Sequence, residues 1–95
     1  MRLEWSAFAL ADREAIFDWV ASESPRAAVV LDERIEHRIE ALIDFPQSGR
    51  LGRIEGTREL VIAGTSYIAA YRISGDVIRI LRVLHMARLW PDGLP

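Results

Sequence analysis

The sequence contains neither cysteine nor lysine, and each absence excludes a class of site. Without cysteine the chain can form no disulfide framework and no zinc–thiolate centre, although a reducing compartment is permitted. All twelve basic residues are therefore arginine, which suits planar, bidentate contacts, but a composition without lysine also arises from genomic base bias. The formal net charge of −2 argues against a domain that binds mainly by neutralising many phosphates.

A long apolar run is also missing from the start of the chain, where charge returns at Asp12. That interval is too short for the core of a signal peptide or for a membrane span, so we expect a cytosolic protein. The length suffices for one domain, which we expect to occupy residues 1–95. Residues 1–44 carry ten acidic side chains and five arginines, whereas residues 45–95 carry four and seven. An anionic partner should therefore meet the second half of the chain.

Apolar spacing in the first half predicts a short strand and two helices. Leu3 and Trp5 alternate with charged neighbours, as in a half-buried strand. One helix is expected over residues 7–22 and a second from Ser24-Pro25, because serine caps a helix and proline fits its first turn. The side chains expected to face the core are Phe8, Ala9, Ala15, Ile16, Trp19 and Val20 in the first helix, and Ala28, Leu31, Ile35, Ile39 and Leu42 in the second.

The second half predicts a three-stranded antiparallel meander. Strands are expected at 57–62, 65–73 and 77–84, after a glycine-containing loop at 46–56. Ser74-Gly75-Asp76 suits a tight hairpin turn between the last two strands. Because the helices and the sheet must each cover an apolar surface, this order predicts an α+β fold with the helical hairpin on one face of the sheet.

Four segments together resemble the RelE/ParE superfamily of toxins: DFPQSGR at 44–50, GTREL at 56–60, YIAAYRI at 67–73 and ILRVLHMAR at 80–88. The resemblance spans nearly the whole chain and implies the toxin of a type II toxin–antitoxin pair. It also implies a cognate ParD-like ribbon-helix-helix antitoxin that wraps the toxin. From the residues themselves we expect no cofactor and no metal site. The segments GTREL and ILRVLHMAR are more similar to the ParE branch, whose members trap the cleaved-DNA complex of DNA gyrase.

RelE-like members instead cut messenger RNA on the ribosome, which requires a base, an acid and cations for the developing phosphate charge. If this chain is a nuclease, the candidate residues are Glu59, Arg82 and His85. Regular alternation along the last strand places Arg82 with Ile80 and His85 on the opposite face, so a joint role needs a bend or bulge. His85 alone is better explained as a residue that ends a strand and hydrogen-bonds to a neighbouring loop or helix. We therefore favour no catalytic site.

A gyrase poison needs a few rigid anchors rather than a catalytic constellation. The expected target-binding residues are Arg50 and Arg53 in the loop, Arg58 on the following strand, and Arg88, Leu89 and Trp90 after the last strand. The alternative for Trp90 is that it folds back over the sheet, in which case the gyrase contact must lie elsewhere. A third hypothesis is an inactive relative that serves only as a scaffold for its antitoxin.

Overall fold

The computed structural model describes residues 1–88 and 90–95. In chain order the elements are β1 (Arg2–Trp5), α1 (Ala7–Ala21), α2 (Pro25–Glu40), a 3₁₀ turn (Ala41–Ile43), β2 (Arg50–Leu51), β3 (Arg58–Val61), β4 (Tyr67–Ser74) and β5 (Val77–His85). The predicted α+β fold is confirmed. The segment predicted as a loop contains the additional two-residue strand β2.

Within the described residues the strands form one open sheet in the order β1-β5-β4-β3-β2. The pairing of β1 with β5 is parallel, whereas the other pairs are antiparallel. The helical hairpin therefore connects opposite edges of the sheet, and it must cross one face to do so. No helix of the described residues is both long and apolar enough to cross a membrane.

Serine residues cap both helices and attach the first of them to the sheet. The Ser6 hydroxyl accepts from the Ala9 N–H at 2.9 Å and donates to the Leu81 carbonyl at 2.8 Å. The Ser24 hydroxyl accepts from the Ala27 N–H at 3.2 Å, as the Ser-Pro pair predicts. A side-chain cap of this kind contributes about 1 kcal/mol to helix stability.

The core lies between α2 and the helix-facing side of the sheet. The predicted inward residues of α2 are buried or half-buried, and Ile35 and Ile39 are fully so. In α1 the prediction is wrong for Phe8 and Trp19, which are 59% and 77% exposed, and for Ala15, which is also exposed. Because α1 is apolar on nearly every side, the spacing of its side chains does not single out the buried face.

A β-bulge in β5 changes which residues share a face of the sheet. The register shifts between Ala70 and Tyr71 of β4, so that Leu81 is the extra residue of β5. Tyr71 is paired with Ile80, and the shift places His85 on the same face as Ile80, toward the helices. Regular alternation therefore gives the wrong face for the end of this strand.

Candidate target-binding surface

Glu59 organises a cluster of side chains on the face of the sheet that points away from the helices. Its neighbour Leu60 belongs to the core beneath the helices, so Glu59 projects to the other side of β3. The Glu59 residue is only 3% exposed. Its Oε2 accepts from the Arg53 backbone N–H at 2.8 Å and from Arg53 Nε at 3.0 Å. Its Oε1 accepts from Arg53 Nη2 and from Arg50 Nη2, each at 3.2 Å.

These hydrogen bonds decide the ionisation state of the buried carboxyl. Burial alone would raise the pKa of Glu59, but the donors of Arg53 and Arg50 outweigh burial and lower that pKa below its ordinary value. Glu59 is therefore a carboxylate near neutrality. Its lone pairs are taken by arginine donors, which is the environment of a structural anion rather than of a general base.

The cluster extends to the C-terminal segment through a stacking contact. The guanidinium carbon of Arg53 lies 3.6 Å from the centroid of the Trp90 ring. Trp90 is half-buried, so it folds back toward the sheet. We call Glu59, Arg50, Arg53 and Trp90 the arginine–tryptophan cluster. Arg50, Arg53 and Trp90 were each predicted as target-binding residues, and the fold brings them together while leaving the two arginine side chains 58% and 45% exposed.

Arg58 lies on the helix-facing side of β3, where it holds the preceding loop. Its guanidinium donates to the Gly49 carbonyl at 2.8 Å. Beside it, the Tyr71 hydroxyl donates to the Pro46 carbonyl at 2.7 Å and accepts from the Gly49 N–H at 3.0 Å. A Cβ at position 49 would lie 2.6 Å from the tyrosine oxygen, so the close approach requires glycine. Arg58 thus stands apart from the arginine–tryptophan cluster.

The other predicted target-binding residues follow β5. Arg88 is exposed in the turn after that strand, and its N–H donates to the His85 carbonyl at 3.1 Å. Leu89 lies outside the described residues. The side chain of Arg88 lines a groove on the helix-facing side of the sheet, with His85 and Tyr67.

Arg82, a candidate phosphate contact, is engaged within the fold. Its Nε and Nη2 donate to the Asp12 carboxylate at 2.7 and 2.9 Å, and the Val83 N–H donates to the same carboxylate at 2.9 Å. The hydrogen bonds that Arg82 donates to the Asp12 carboxylate raise the pKa of Arg82. This contact fastens α1 to the part of β5 that extends past β1. Sequence reasoning missed it, although an acid within an apolar helix was the available signal.

A catalytic pair would require His85 to contact Glu59 or Arg82, and it contacts neither. Its ring meets that of Tyr67 edge-on with centroids 5.3 Å apart, and its Nδ1 accepts from the Ala87 N–H at 3.1 Å. Strand alternation after the bulge sets Arg82 opposite His85, but the Arg82 guanidinium reaches Asp12 of α1, which lines the same groove as His85. The donors of Arg82 that face Asp12 are therefore occupied by a carboxylate. Glu59 also lies on the face opposite His85. In residues 1–88 and 90–95, no group of three His, Cys, Asp or Glu residues is placed to hold a metal ion.

A helical hairpin on one face of an open, mostly antiparallel five-stranded sheet defines the described residues as a RelE/ParE superfamily domain. The sequence profile for "ParE toxin of type II toxin-antitoxin system, parDE" matches residues 3–90. This chain therefore belongs to the ParE toxin family.

Individual relatives agree with that assignment. The chain is 43% identical over 93 residues to "Putative toxin Y4kP" of Sinorhizobium fredii, covering 98% of this chain and 96% of that protein. It is 35% identical over 85 residues to "Toxin RelE2" of Caulobacter vibrioides, covering 90% and 94%. A chain of the solved structure "Chromosomal ParDE TA system from P. aeruginosa" matches with a TM-score of 0.81 and 30% identity, covering 90% of this chain and 95% of that one.

Proposed function

We propose that this type II toxin inhibits DNA gyrase by binding and trapping its cleaved-DNA complex, in the cytoplasm, and that a ParD-like ribbon-helix-helix antitoxin neutralises it. The observation that carries the proposal is the separation of two of the nuclease candidates, Glu59 and His85, by the sheet. Glu59 lies on one face with its oxygens bound to arginines, whereas His85 lies on the other. A base and an acid that act on one phosphodiester need to converge on it.

The arginine–tryptophan cluster offers the kind of surface that binding inhibition needs. Interface energy concentrates in a few rigid aromatic and arginine anchors. Arg53 is rigid because a buried carboxylate holds it, yet it stays partly exposed beside Trp90. Contact of Arg50, Arg53 and Trp90 with gyrase is therefore the core of the proposal, and contact by Arg58, Arg88 and Leu89 stays a prediction.

Gyrase poisoning is tested by incubating the purified toxin with gyrase, ATP and supercoiled plasmid, then trapping covalent complexes with detergent and protease. We expect linear DNA that increases with toxin and disappears when antitoxin is added. Trp90→Ala and Arg50→Ala should reduce the yield of linear DNA, whereas Arg72→Ala, an exposed strand arginine outside the cluster, should not. An absence of linear DNA from a preparation that arrests growth would overturn the gyrase assignment.

Ribosome-dependent cleavage of messenger RNA is the second candidate, and a different set of residues favours it. Tyr67, His85 and Arg88 line one groove of about 410 Å³ together with Asp12 of α1. Those side chains supply an imidazole, a phenol and a cation on one face, and one relative carries the name "Toxin RelE2". Cleavage of ribosome-bound message that His85→Ala abolishes would support this candidate, and intact message would exclude it.

The antitoxin partnership is supported by exposed apolar surface on α1. Phe8 and Trp19 are 59% and 77% exposed, and such side chains suit the apolar face of an amphipathic helix from a partner. We expect Trp19→Ala to weaken co-purification with the antitoxin while Trp90→Ala leaves it unchanged. If expression of the toxin alone causes no growth arrest, the protein acts only as an inactive scaffold for the antitoxin complex.

A further inference from the structure

Glu59 has a role that neither nuclease chemistry nor direct target contact explains. Its side chain is buried and ionised, and among the described residues the carboxylate accepts four hydrogen bonds, all from Arg50 and Arg53. We propose that Glu59 is a positioning residue which, through Arg53, holds residues 90–95 in a docked position, and that the docked segment is the form that engages the target. The second half of this inference rests on the proposed gyrase function, whereas the first half does not.

Strand β3 fixes the position of the Glu59 carboxylate. Glu59 pairs with Arg50 of β2 on one side and with Ala70 of β4 on the other, so its backbone is held in the interior of the sheet. With both oxygens accepting hydrogen bonds and almost no exposed surface, the carboxylate has little freedom to turn.

The Glu59 carboxylate in turn orients the guanidinium plane of Arg53. Arg53 Nε donates to Oε2 and Arg53 Nη2 donates to Oε1, which is a two-point contact between two planar groups. The Arg53 backbone N–H also donates to Oε2, so the loop itself is attached to the strand. An arginine at the surface would otherwise exchange among many rotamers, and here one orientation is selected.

The Trp90 indole stacks on the guanidinium of Arg53, which is held in this orientation by Glu59. At 3.6 Å the guanidinium carbon of Arg53 is in contact with the ring face of Trp90. Beyond the indole, Pro91 and Leu94 are also half-buried, whereas Asp92, Gly93 and Pro95 are exposed. The C-terminal segment is therefore partly buried at Trp90, Pro91 and Leu94. The contact of Trp90 with Arg53 depends on the Glu59 carboxylate, which lies 31 positions earlier in the chain.

Docking is tested without gyrase by ¹⁹F NMR of the full chain labelled with fluorotryptophan. The chain has three tryptophans, and Trp90→Phe assigns the resonance that matters. Glu59→Gln keeps the size of the side chain but replaces one accepting oxygen with an NH₂ that faces arginine donors. We expect the Trp90 resonance to move toward its solvent-exposed position. The ratio of docked to free segment should fall by about fivefold, which corresponds to the loss of one cation–π contact.

Two further variants separate positioning from a loss of folding. Arg53→Lys keeps a positive charge beside Glu59 but loses the planar fork, so it should release Trp90 as Glu59→Gln does. Glu4→Gln is the matched control, because Glu4 is also a strand carboxylate that accepts from an arginine, Arg79 Nη1 at 2.6 Å, outside the cluster. An unchanged Trp19 resonance in every variant, and an unchanged Trp5 resonance in the variants of Glu59 and Arg53, show that the fold is intact.

The same variants are then compared in the gyrase assay. Weaker formation of linear DNA by Glu59→Gln, which changes a buried residue outside the proposed contact surface, by about the same factor as the loss of docking, supports the proposal. A released Trp90 with undiminished DNA cleavage refutes the docked segment as the active form, while the gyrase function stands. A Trp90 resonance that does not move refutes the positioning role. Absence of cleavage by the wild-type toxin overturns the gyrase function, and the NMR result still decides the positioning role.

Discussion

Removal of the Asp12 carboxylate should destabilise the toxin far more than removal of any exposed acid on the same helix. Asp12 and Arg82 side chains are only 11% and 21% exposed, and Asp12→Ala leaves both the guanidinium and the Val83 N–H without their acceptor. The loss of charge-assisted hydrogen bonds and of a satisfied backbone donor costs about 3 kcal/mol. The midpoint of thermal unfolding should then fall by roughly 12–24 °C, since each kcal/mol corresponds to about 4–8 °C in a domain of this size.

The assay is urea and thermal unfolding followed by far-UV circular dichroism. Asp18→Ala is the matched control, because it makes the same chemical change at an exposed position of α1 and should cost about 0.5 kcal/mol or less. The double variant Asp12→Ala/Arg82→Leu should be more stable than the sum of the single losses predicts, since no charge is left unpaired. If Asp12→Ala costs no more than Asp18→Ala, the contact does not fasten α1 to β5 and the reasoning fails.

Two further outcomes follow from the contacts around Glu59 and Gly49. Because the folded state lowers the pKa of Glu59 from its ordinary value of 4.5, its contribution to stability is present above about that pH and is lost as pH falls through the folded pKa. The free energy of unfolding should therefore decline less steeply below pH 4.5 in Glu59→Gln than in the wild type, and parallel curves in urea titrations at several pH values would contradict this. Gly49→Ala should destabilise by about 2 kcal/mol, because its methyl group would meet the Tyr71 hydroxyl at 2.6 Å, whereas Gly93→Ala meets nothing within 4 Å and should be neutral in the same urea assay.

How well the sequence predicts each element depends on how sharply its polar and apolar residues are separated. In α2 charged side chains occupy the outer surface, so the buried positions of Ile35 and Ile39 follow directly from the pattern. In α1 apolar residues lie all round the helix, and the exposed position of Trp19 depends on the packing of the sheet. The bulge at Leu81 is also invisible in the sequence, because β5 is apolar on both faces near that point.

The candidate site was predictable as a set of residues but not as an arrangement. Loop position and side-chain chemistry singled out Arg50 and Arg53, and the chain end singled out Trp90. These residues come together because Arg50 and Arg53 bind the Glu59 carboxylate. The sequence around Glu59 shows only that a charged residue alternates with the apolar Leu60. The stacking of Arg53 on Trp90 joins residues 37 positions apart, and such a contact has no local signature.

The parallel pairing of β1 with β5 also determines when the toxin can complete its fold during synthesis. Arg2 pairs with Val77 and Trp5 with Ile80, so β1 finds its partner only when β5, which is synthesised more than 70 residues later, has emerged. Contacts of such long sequence separation slow folding. A nascent chain that has not yet released β5 lacks the strand to which both β1 and the α1 carboxylate of Asp12 attach. The toxin fold is therefore completed only after β5 has emerged from the ribosome, which leaves an interval in which an antitoxin already present can meet an incomplete toxin.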